Sequence, residues 1–216
     1  MVDSTTWKME RFNPIYYINL NYRTDRRAQF EAWIQESNFP LEKVERIDAV
    51  GIPGRPHIGC GLSHIKALDT FLASGQPYGF IFEDDYEPLD VGTFWTSIEQ
   101  IFSSGIQFDV VLCSYNQLQS IDTEVPYMKQ VFSSMTASGY IVTREYAPRL
   151  RDCLIEAHKL ALEEEARTQR KTDQYMNDVY WMKLMHVDRW YCYYPRLGKQ
   201  RAGYSDLQGH FTDYNA

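Results

Sequence analysis

The segment that most constrains this chain is FIFEDDYEP, residues 80–88. A short apolar run that follows a turn containing glycine and proline is typical of a buried strand. Three consecutive carboxylates follow, Glu83, Asp84 and Asp85. Because burial and neighbouring negative charges both oppose ionisation, a positive partner is expected here. A hard divalent cation carrying a phosphate is the simplest candidate. On the triplet alone, an acidic turn at the surface is an equally good interpretation.

Apolar strands and amphipathic helices alternate along the chain. Strands are predicted at residues 14–20, 44–50, 80–82, 108–114 and 190–194, with short strands in 131–143, and helices at 25–37, 58–74, 91–102, 147–170 and 172–184. Residues 115–130 are polar and predict a long loop. The alternation predicts the α/β class with a mainly parallel central sheet. In such sheets, ligands bind beyond the carboxyl ends of the strands.

Composition limits the classes of protein that fit. A net charge of −7 argues against non-specific nucleic-acid binding, which needs a basic face. The four cysteines are widely separated, which predicts reduced thiols rather than a zinc or disulfide framework. No apolar run is long enough to span a bilayer, and the first residues lack a signal core, so a cytoplasmic location is predicted. We expect one domain over 1–216, with a polar leader at 1–12 and a basic tail at 195–216.

Five local patterns occur in order along the chain. They are INLNYRTDRR, GCGLSHIKAL, FIFEDDYEP, SGYIVTREYAPRL and QRAGYSD. Together they resemble glycosyltransferase family 25, the lipopolysaccharide and collagen sugar-transferase type. The most specific part is the GCxLSH segment followed about twenty residues later by EDD. The resemblance covers most of residues 14–206, although 114–130 carry none of it.

The resemblance implies a GT-A fold, which is a Rossmann-like nucleotide-binding sandwich with an acidic metal motif after a central strand. It also implies transfer of a hexose from a nucleotide sugar, usually a UDP-hexose, to a hydroxyl of a glycan or glycoprotein acceptor. The implied cofactor is Mn²⁺ or Mg²⁺, and the implied stereochemistry is inversion at the anomeric carbon. Two other functions stay open: a metal-dependent phosphoesterase and a non-catalytic module that binds nucleotide sugars.

The resemblance implies a metal role for two acids of the triplet, Glu83 and Asp85. Asp85 is the predicted direct ligand, and Glu83 shares its face and binds the metal through water or contacts a donor hydroxyl. Asp84 is predicted to meet the ribose or the sugar. A C-terminal histidine often completes such sites, which makes His210 a further candidate ligand. Alone, each of these acids is equally a solvated surface residue. His64 lies in the predicted helix at 58–74, which begins with the glycines of GCGLSH. It is expected to hydrogen-bond to the backbone or to line the donor site.

A second group of residues is predicted to bind the nucleotide. Its members lie near the predicted strand ends, on the predicted helix at 58–74 or in the basic tail: Asn19, Arg23, Arg26, Asp48, Lys66, Lys199 and Arg201. The cations suit a diphosphate. The alternatives are exposed helix charges, turn caps and a free cationic tail.

Asp173 is the predicted general base. An inverting transfer requires a carboxylate that takes the proton of the acceptor hydroxyl. Asp173 opens the predicted 172–184 helix, where the family usually places such an acid. A first-turn acid that only stabilises the helix dipole is the competing interpretation. Asp178 is the alternative base.

Overall fold

The structure is a computed structural model that describes residues 14–206 and 208–214. The predicted leader at 1–12 lies outside these residues. The strands are β1 (Ile15–Asn19), β2 (Val44–Asp48), β3 (Tyr78–Glu83), β4 (Tyr86–Pro88), β5 (Val110–Leu112), β6 (Asn116–Asp122), β7 (Met128–Met135), β8 (Gly139–Thr143), β9 (Trp190–Tyr193), β10 (Gly198–Gln200), β11 (Gly203–Ser205) and β12 (His210–Thr212). The helices are α1 (Thr24–Glu36), α2 (Pro56–Ser74), α3 (Phe94–Ser103), α4 (Ala147–Thr168), α5 (Asn177–Tyr180) and α6 (Met182–Met185), with a 3₁₀ turn at Leu41–Lys43.

Eight of these strands form one sheet in the order β2-β1-β3-β8-β5-β9-β7-β6. The pairs β1–β2, β1–β3 and β5–β9 are parallel. The pairs β3–β8, β5–β8, β7–β9 and β6–β7 are antiparallel. Strands β7 and β8 therefore run against the other six, so the sheet is mostly parallel in strand direction. Two small antiparallel pairs, β4–β10 and β11–β12, lie outside it.

The central strands are buried on both sides, because helices cover both faces of the sheet. In β1, all five residues are buried. Tyr16 and Ile18 pack into one core with residues of α2 and α4, such as Phe71 and Leu150. Ile15 and Tyr17 point to the opposite face and pack with residues of α1 and α3. Alternation along a strand thus produces two cores and a layered α/β sandwich.

The secondary structure predicted for two segments, 115–130 and 172–184, is wrong. Residues 115–130 are not a loop, because β6 and the start of β7 form an antiparallel pair there. Strand β6 lies at the edge of the sheet and alternates between half-buried and exposed residues, so it lacks the apolar run that identifies a strand. The predicted 172–184 helix is instead an irregular segment followed by the short helices α5 and α6.

The basic tail is also more structured than its composition predicts. Strand β10 pairs with β4, and β11 pairs with β12. Within the described residues, no helix combines the length and apolarity needed to cross a bilayer.

Candidate functional site

A cavity of about 670 Å³ opens at the carboxyl edge of β1, β2 and β3. Its wall includes the turn after β3, the residues that follow β2, the start of α2 and residues of the 173–179 segment. The three strands are adjacent and parallel, so their carboxyl ends meet at one edge of the sheet. Ligand pockets of several hundred cubic ångströms are large enough for a nucleotide sugar.

Asp84 and Asp85 form the turn between β3 and β4, and both are nearly buried. The guanidinium of Arg26 joins them, since Nη1 donates to Asp84 Oδ1 at 3.1 Å and to Asp85 Oδ2 at 2.8 Å. Asn19, at the end of β1, donates from Nδ2 to Asp84 Oδ2 at 2.7 Å. From the tail, Gln200 donates from Nε2 to Asp85 Oδ2 at 3.1 Å. One cation therefore faces two buried carboxylates.

The second oxygen of Asp85, Oδ1, is buried and has no hydrogen-bond partner. Burial, together with the charge of Glu83, raises the pKa of Asp85 to about 7. Burial also raises the pKa of Asp84. An unpartnered carboxylate oxygen at a cavity wall fits a hard divalent cation, which prefers oxygen ligands and offsets this charge. Asp85 is the residue that fits this role, whereas both oxygens of the neighbouring Asp84 already accept hydrogen bonds.

Glu83, the last residue of β3, turns away from this pair and toward α2. Its Oε1 lies 3.1 Å from Nε2 of His64 and 3.7 Å from Sγ of Cys60. Although burial opposes ionisation, the hydrogen bond and charge of His64 lower the pKa of Glu83. The acidic triplet is therefore divided between two environments, one built by α1 and one by α2.

Arg23 and Arg26 both line the cavity and are held by the tail. Arg23 forms ion pairs with Asp25 at 2.9 Å and with Asp206 at 2.6 Å. Arg26 donates from Nη2 to the carbonyl oxygen of Tyr204 at 2.8 Å. These two cations face the same cavity as the aspartates, so a diphosphate in the cavity would lie beside both.

Asp173 and Asp178 both line the cavity, but their surroundings differ. The side chain of Asp173 is 80% exposed, and the nearest cation is Lys171, 3.8 Å away. Asp178 is half-buried at the start of α5, and its Oδ2 accepts a hydrogen bond from the backbone N–H of Thr136 at 3.0 Å. Burial raises the pKa of Asp178. A held carboxylate with a raised pKa is better suited to accept a proton near neutral pH.

Three of the predicted nucleotide ligands, Asp48, Lys66 and Asn19, are not part of the cavity wall. Asp48 ends β2 with its side chain half exposed, and its carboxylate lies 3.6 Å from Arg46. Lys66 donates from Nζ to the carbonyl oxygen of Asp48 at 2.8 Å. Asn19 is buried behind Asp84 and contacts it directly. The structure thus groups Asp48 and Lys66 together, beside the cavity rather than in its wall.

The tail cations are also placed beside the cavity. Lys199 and Arg201 lie 3.8 and 3.7 Å from Glu87 of β4. The backbone N–H of Arg201 nevertheless donates to the carbonyl oxygen of Asp85 at 2.7 Å. His210 is exposed, and its contacts are with its neighbours Phe211 and Thr212. Among the described residues, these three do not line the cavity.

Sequence reasoning missed three residues of the site. Cys60 lies four residues before His64 on α2, and this spacing was an available signal, because it places both on one helix face. Gln200 and Asp206 reach the site through strand pairing and ion pairs that join the two ends of the chain. Local sequence patterns do not predict contacts between such distant parts of the chain.

No protein-family model matches the chain. Among solved structures, it is similar to mannose-1-phosphate geranyltransferase from Thermus thermophilus, at 8% identity and a TM-score of 0.52, covering 88% of this chain and 74% of that one. It is also similar to A197 from STIV (14% identity, 84% and 81% covered, TM-score 0.47). A third likeness is to a glycosyltransferase involved in the glycosylation of the major capsid of PBCV-1 (9% identity, 85% and 94% covered, TM-score 0.39).

The first of these likenesses shows a shared fold alone. The other two have TM-scores below 0.5 and support no conclusion. The predicted fold class is therefore confirmed: a mixed α/β fold with a large, mostly parallel central sheet flanked by helices.

Proposed function

We propose that this chain is a glycosyltransferase that moves a hexose from a nucleotide sugar, a UDP-hexose, to a hydroxyl of a glycan or glycoprotein acceptor. The observation that carries the proposal is the pair of buried aspartates, Asp84 and Asp85, in the wall of a cavity at the carboxyl edge of the parallel strands. The sequence resemblance to glycosyltransferase family 25 agrees with it. The solved structure with a similar fold is named mannose-1-phosphate geranyltransferase, so this fold occurs in a protein named as a transferase.

Asp85 would hold the cation, Mn²⁺ or Mg²⁺, through its unpartnered oxygen, with Asp84 beside it. When bound, such an ion neutralises charge on the departing nucleoside diphosphate. Arg26 already bridges both carboxylates, and Arg23 lies on the same wall. In the proposed complex, these guanidiniums bind the donor phosphates, a role that the planar donors of arginine suit well.

The general base of the proposed transfer is a carboxylate of the 173–179 segment. Between the two candidates, Asp178 has the more favourable surroundings, because Thr136 fixes one oxygen and burial raises its pKa. Asp173 is the more exposed alternative. In either case the carboxylate takes the proton of the acceptor hydroxyl as that oxygen attacks the anomeric carbon, which inverts its configuration. The proposed location of the protein is the cytoplasm, as predicted from its sequence.

Calorimetry of UDP binding tests the proposal. We expect Mn²⁺ to strengthen UDP binding by the parent protein, because the ion joins Asp85 to the diphosphate. Asp85→Ala removes a predicted ligand and should abolish that gain, whereas Asp152→Ala, an exposed acid on α4, should preserve it. Equal UDP affinity with and without Mn²⁺ in the parent protein would refute the metal role. Release of inorganic phosphate, rather than an intact sugar transfer, would point to the phosphoesterase alternative.

A further inference from the structure

Cys60, His64 and Glu83 converge where α2 meets the end of β3, and Cys60 and Glu83 line the cavity. Cys60 and His64 are four residues apart on α2 and therefore share one helix face. Glu83 ends β3 opposite them. One ligand atom from each residue, Sγ, a ring nitrogen and a carboxylate oxygen, lies within 4.8 Å of the other two. The cluster offers a thiol, an imidazole and a carboxylate on two rigid elements.

The distances match those of a tetrahedral transition-metal site. With zinc bond lengths of about 2.3 Å to sulfur and about 2.0 Å to nitrogen or oxygen, tetrahedral angles place sulfur and oxygen about 3.5 Å apart and nitrogen and oxygen about 3.3 Å apart. The structure has 3.7 Å between Cys60 Sγ and Glu83 Oε1, and 3.1 Å between His64 Nε2 and the same oxygen. Both distances agree to within a few tenths of an ångström, and the third distance, between the sulfur and a ring nitrogen, lies within 4.8 Å.

The surroundings orient the same atoms. Tyr140 Oη lies 3.2 Å from Nδ1 of His64, which fixes the fully buried ring with Nε2 toward Glu83. Such a partner on the second ring nitrogen is typical of metal-binding histidines. Cys60 and Glu83 line the cavity, so a fourth coordination position would face it and accept water or an oxygen of a bound molecule.

We propose that Cys60, His64 and Glu83 form a binding site for Zn²⁺ or a similar soft divalent ion, separate from the Mn²⁺ or Mg²⁺ position proposed at Asp85. Sulfur and imidazole ligands select zinc over magnesium or manganese. On binding, a zinc–sulfur bond forms, the S–H bond of Cys60 breaks, and its proton passes to the buffer. This site does not depend on the proposed transferase activity.

The test uses tag-free, chelator-treated protein without nucleotide or acceptor, and Co²⁺ as a spectroscopic substitute for Zn²⁺. We expect Co²⁺ to bind with a thiolate-to-metal charge-transfer band in the near ultraviolet, visible bands of tetrahedral intensity, and displacement by Zn²⁺, whereas Co²⁺ bound only at Asp85 would lack the sulfur band. Cys60→Ser should abolish the charge-transfer band and weaken Zn²⁺ binding at least about 100-fold, since even outer-shell partners are worth about 10–100-fold. Cys153→Ser, a buried cysteine on α4, is the matched control and should keep both.

Two results would overturn the proposal: Co²⁺ bound without a sulfur band, or Zn²⁺ affinity unchanged in Cys60→Ser. Tyr140→Phe supplies a second variant if Cys60→Ser folds poorly. It removes the hydroxyl beside Nδ1 of His64 but keeps the ring, and it should weaken Zn²⁺ binding by about 10–100-fold. Because no substrate is present, the outcome is independent of whether the chain transfers sugars.

Discussion

The buried carboxyl of Asp85 should make the free energy of unfolding depend on pH. In the folded protein this carboxyl has a pKa of about 7, whereas its ordinary value is 3.8. Between these values the native state binds a proton that the unfolded chain has released, so raising the pH across this window favours unfolding. The protonated carboxyl of Asp85 stabilises the folded state fully below the lower pKa. This stabilisation is lost as the pH rises through the higher pKa.

The magnitude follows from the size of the shift. Each pKa unit corresponds to about 1.4 kcal/mol, so the contribution of Asp85 should fall by roughly 2–3 kcal/mol between pH 5 and pH 8. Asp85→Asn replaces the carboxyl with a neutral group of the same shape and should remove this part of the slope. At pH 8 the variant should therefore be more stable than the parent, even though Arg26 keeps only Asp84 as a carboxylate partner.

Urea unfolding at several pH values in the presence of a chelator measures this difference. Asp84 and Asp178 also have raised pKa values, so the parent curve contains their contributions as well, and only the difference between parent and variant belongs to Asp85. Asp152→Asn, which changes an exposed carboxylate, should leave the slope unchanged. Parallel curves for the parent and Asp85→Asn from pH 5 to pH 8 would refute the reasoning.

Two further predictions concern other parts of the site. Asp178→Asn should lower the rate of sugar transfer on the order of 10²–10⁴-fold with donor binding nearly intact, and Asp173→Asn should lower it less; the reverse order in steady-state kinetics would assign the base to Asp173. Gly198→Ala should destabilise the protein by roughly 1–3 kcal/mol, because its Cβ would lie 2.3 Å from a buried tyrosine ring. Gly203→Ala, with open space around the new Cβ, is the matched control in thermal unfolding.

The sequence predicted those elements whose apolar pattern is local. Strands β1 and β3 are continuous buried runs, and α2 and α4 are long helices with one apolar face, so their existence follows from periodicity. The location of the cavity was also predictable, because strand ends that carry polar residues meet at the carboxyl edge of a parallel sheet. Asp84, Asp85 and Arg26 meet there.

The remaining features depend on contacts between distant parts of the chain. Strand β6 is stabilised by pairing with β7, not by an apolar run of its own, so its polar sequence resembled a loop. Alternation along β3 placed Glu83 and Asp85 on one side, but the chain turns directly after Glu83, and the two carboxylates meet different helices. Tertiary packing determines which partner each of the three adjacent acids contacts. Patterns in a single sequence do not predict these partners.

The pairing of β10 with β4 has a consequence for how the protein is made. The backbone N–H of Arg201 and the side chain of Gln200 complete the surroundings of Asp85, and Asp206 reaches Arg23 across 183 positions of sequence. On the ribosome, these residues emerge after every other element that they touch. The cavity therefore acquires this part of its wall only after residues 200–206 have emerged, and a nascent chain that stops before them lacks a finished site.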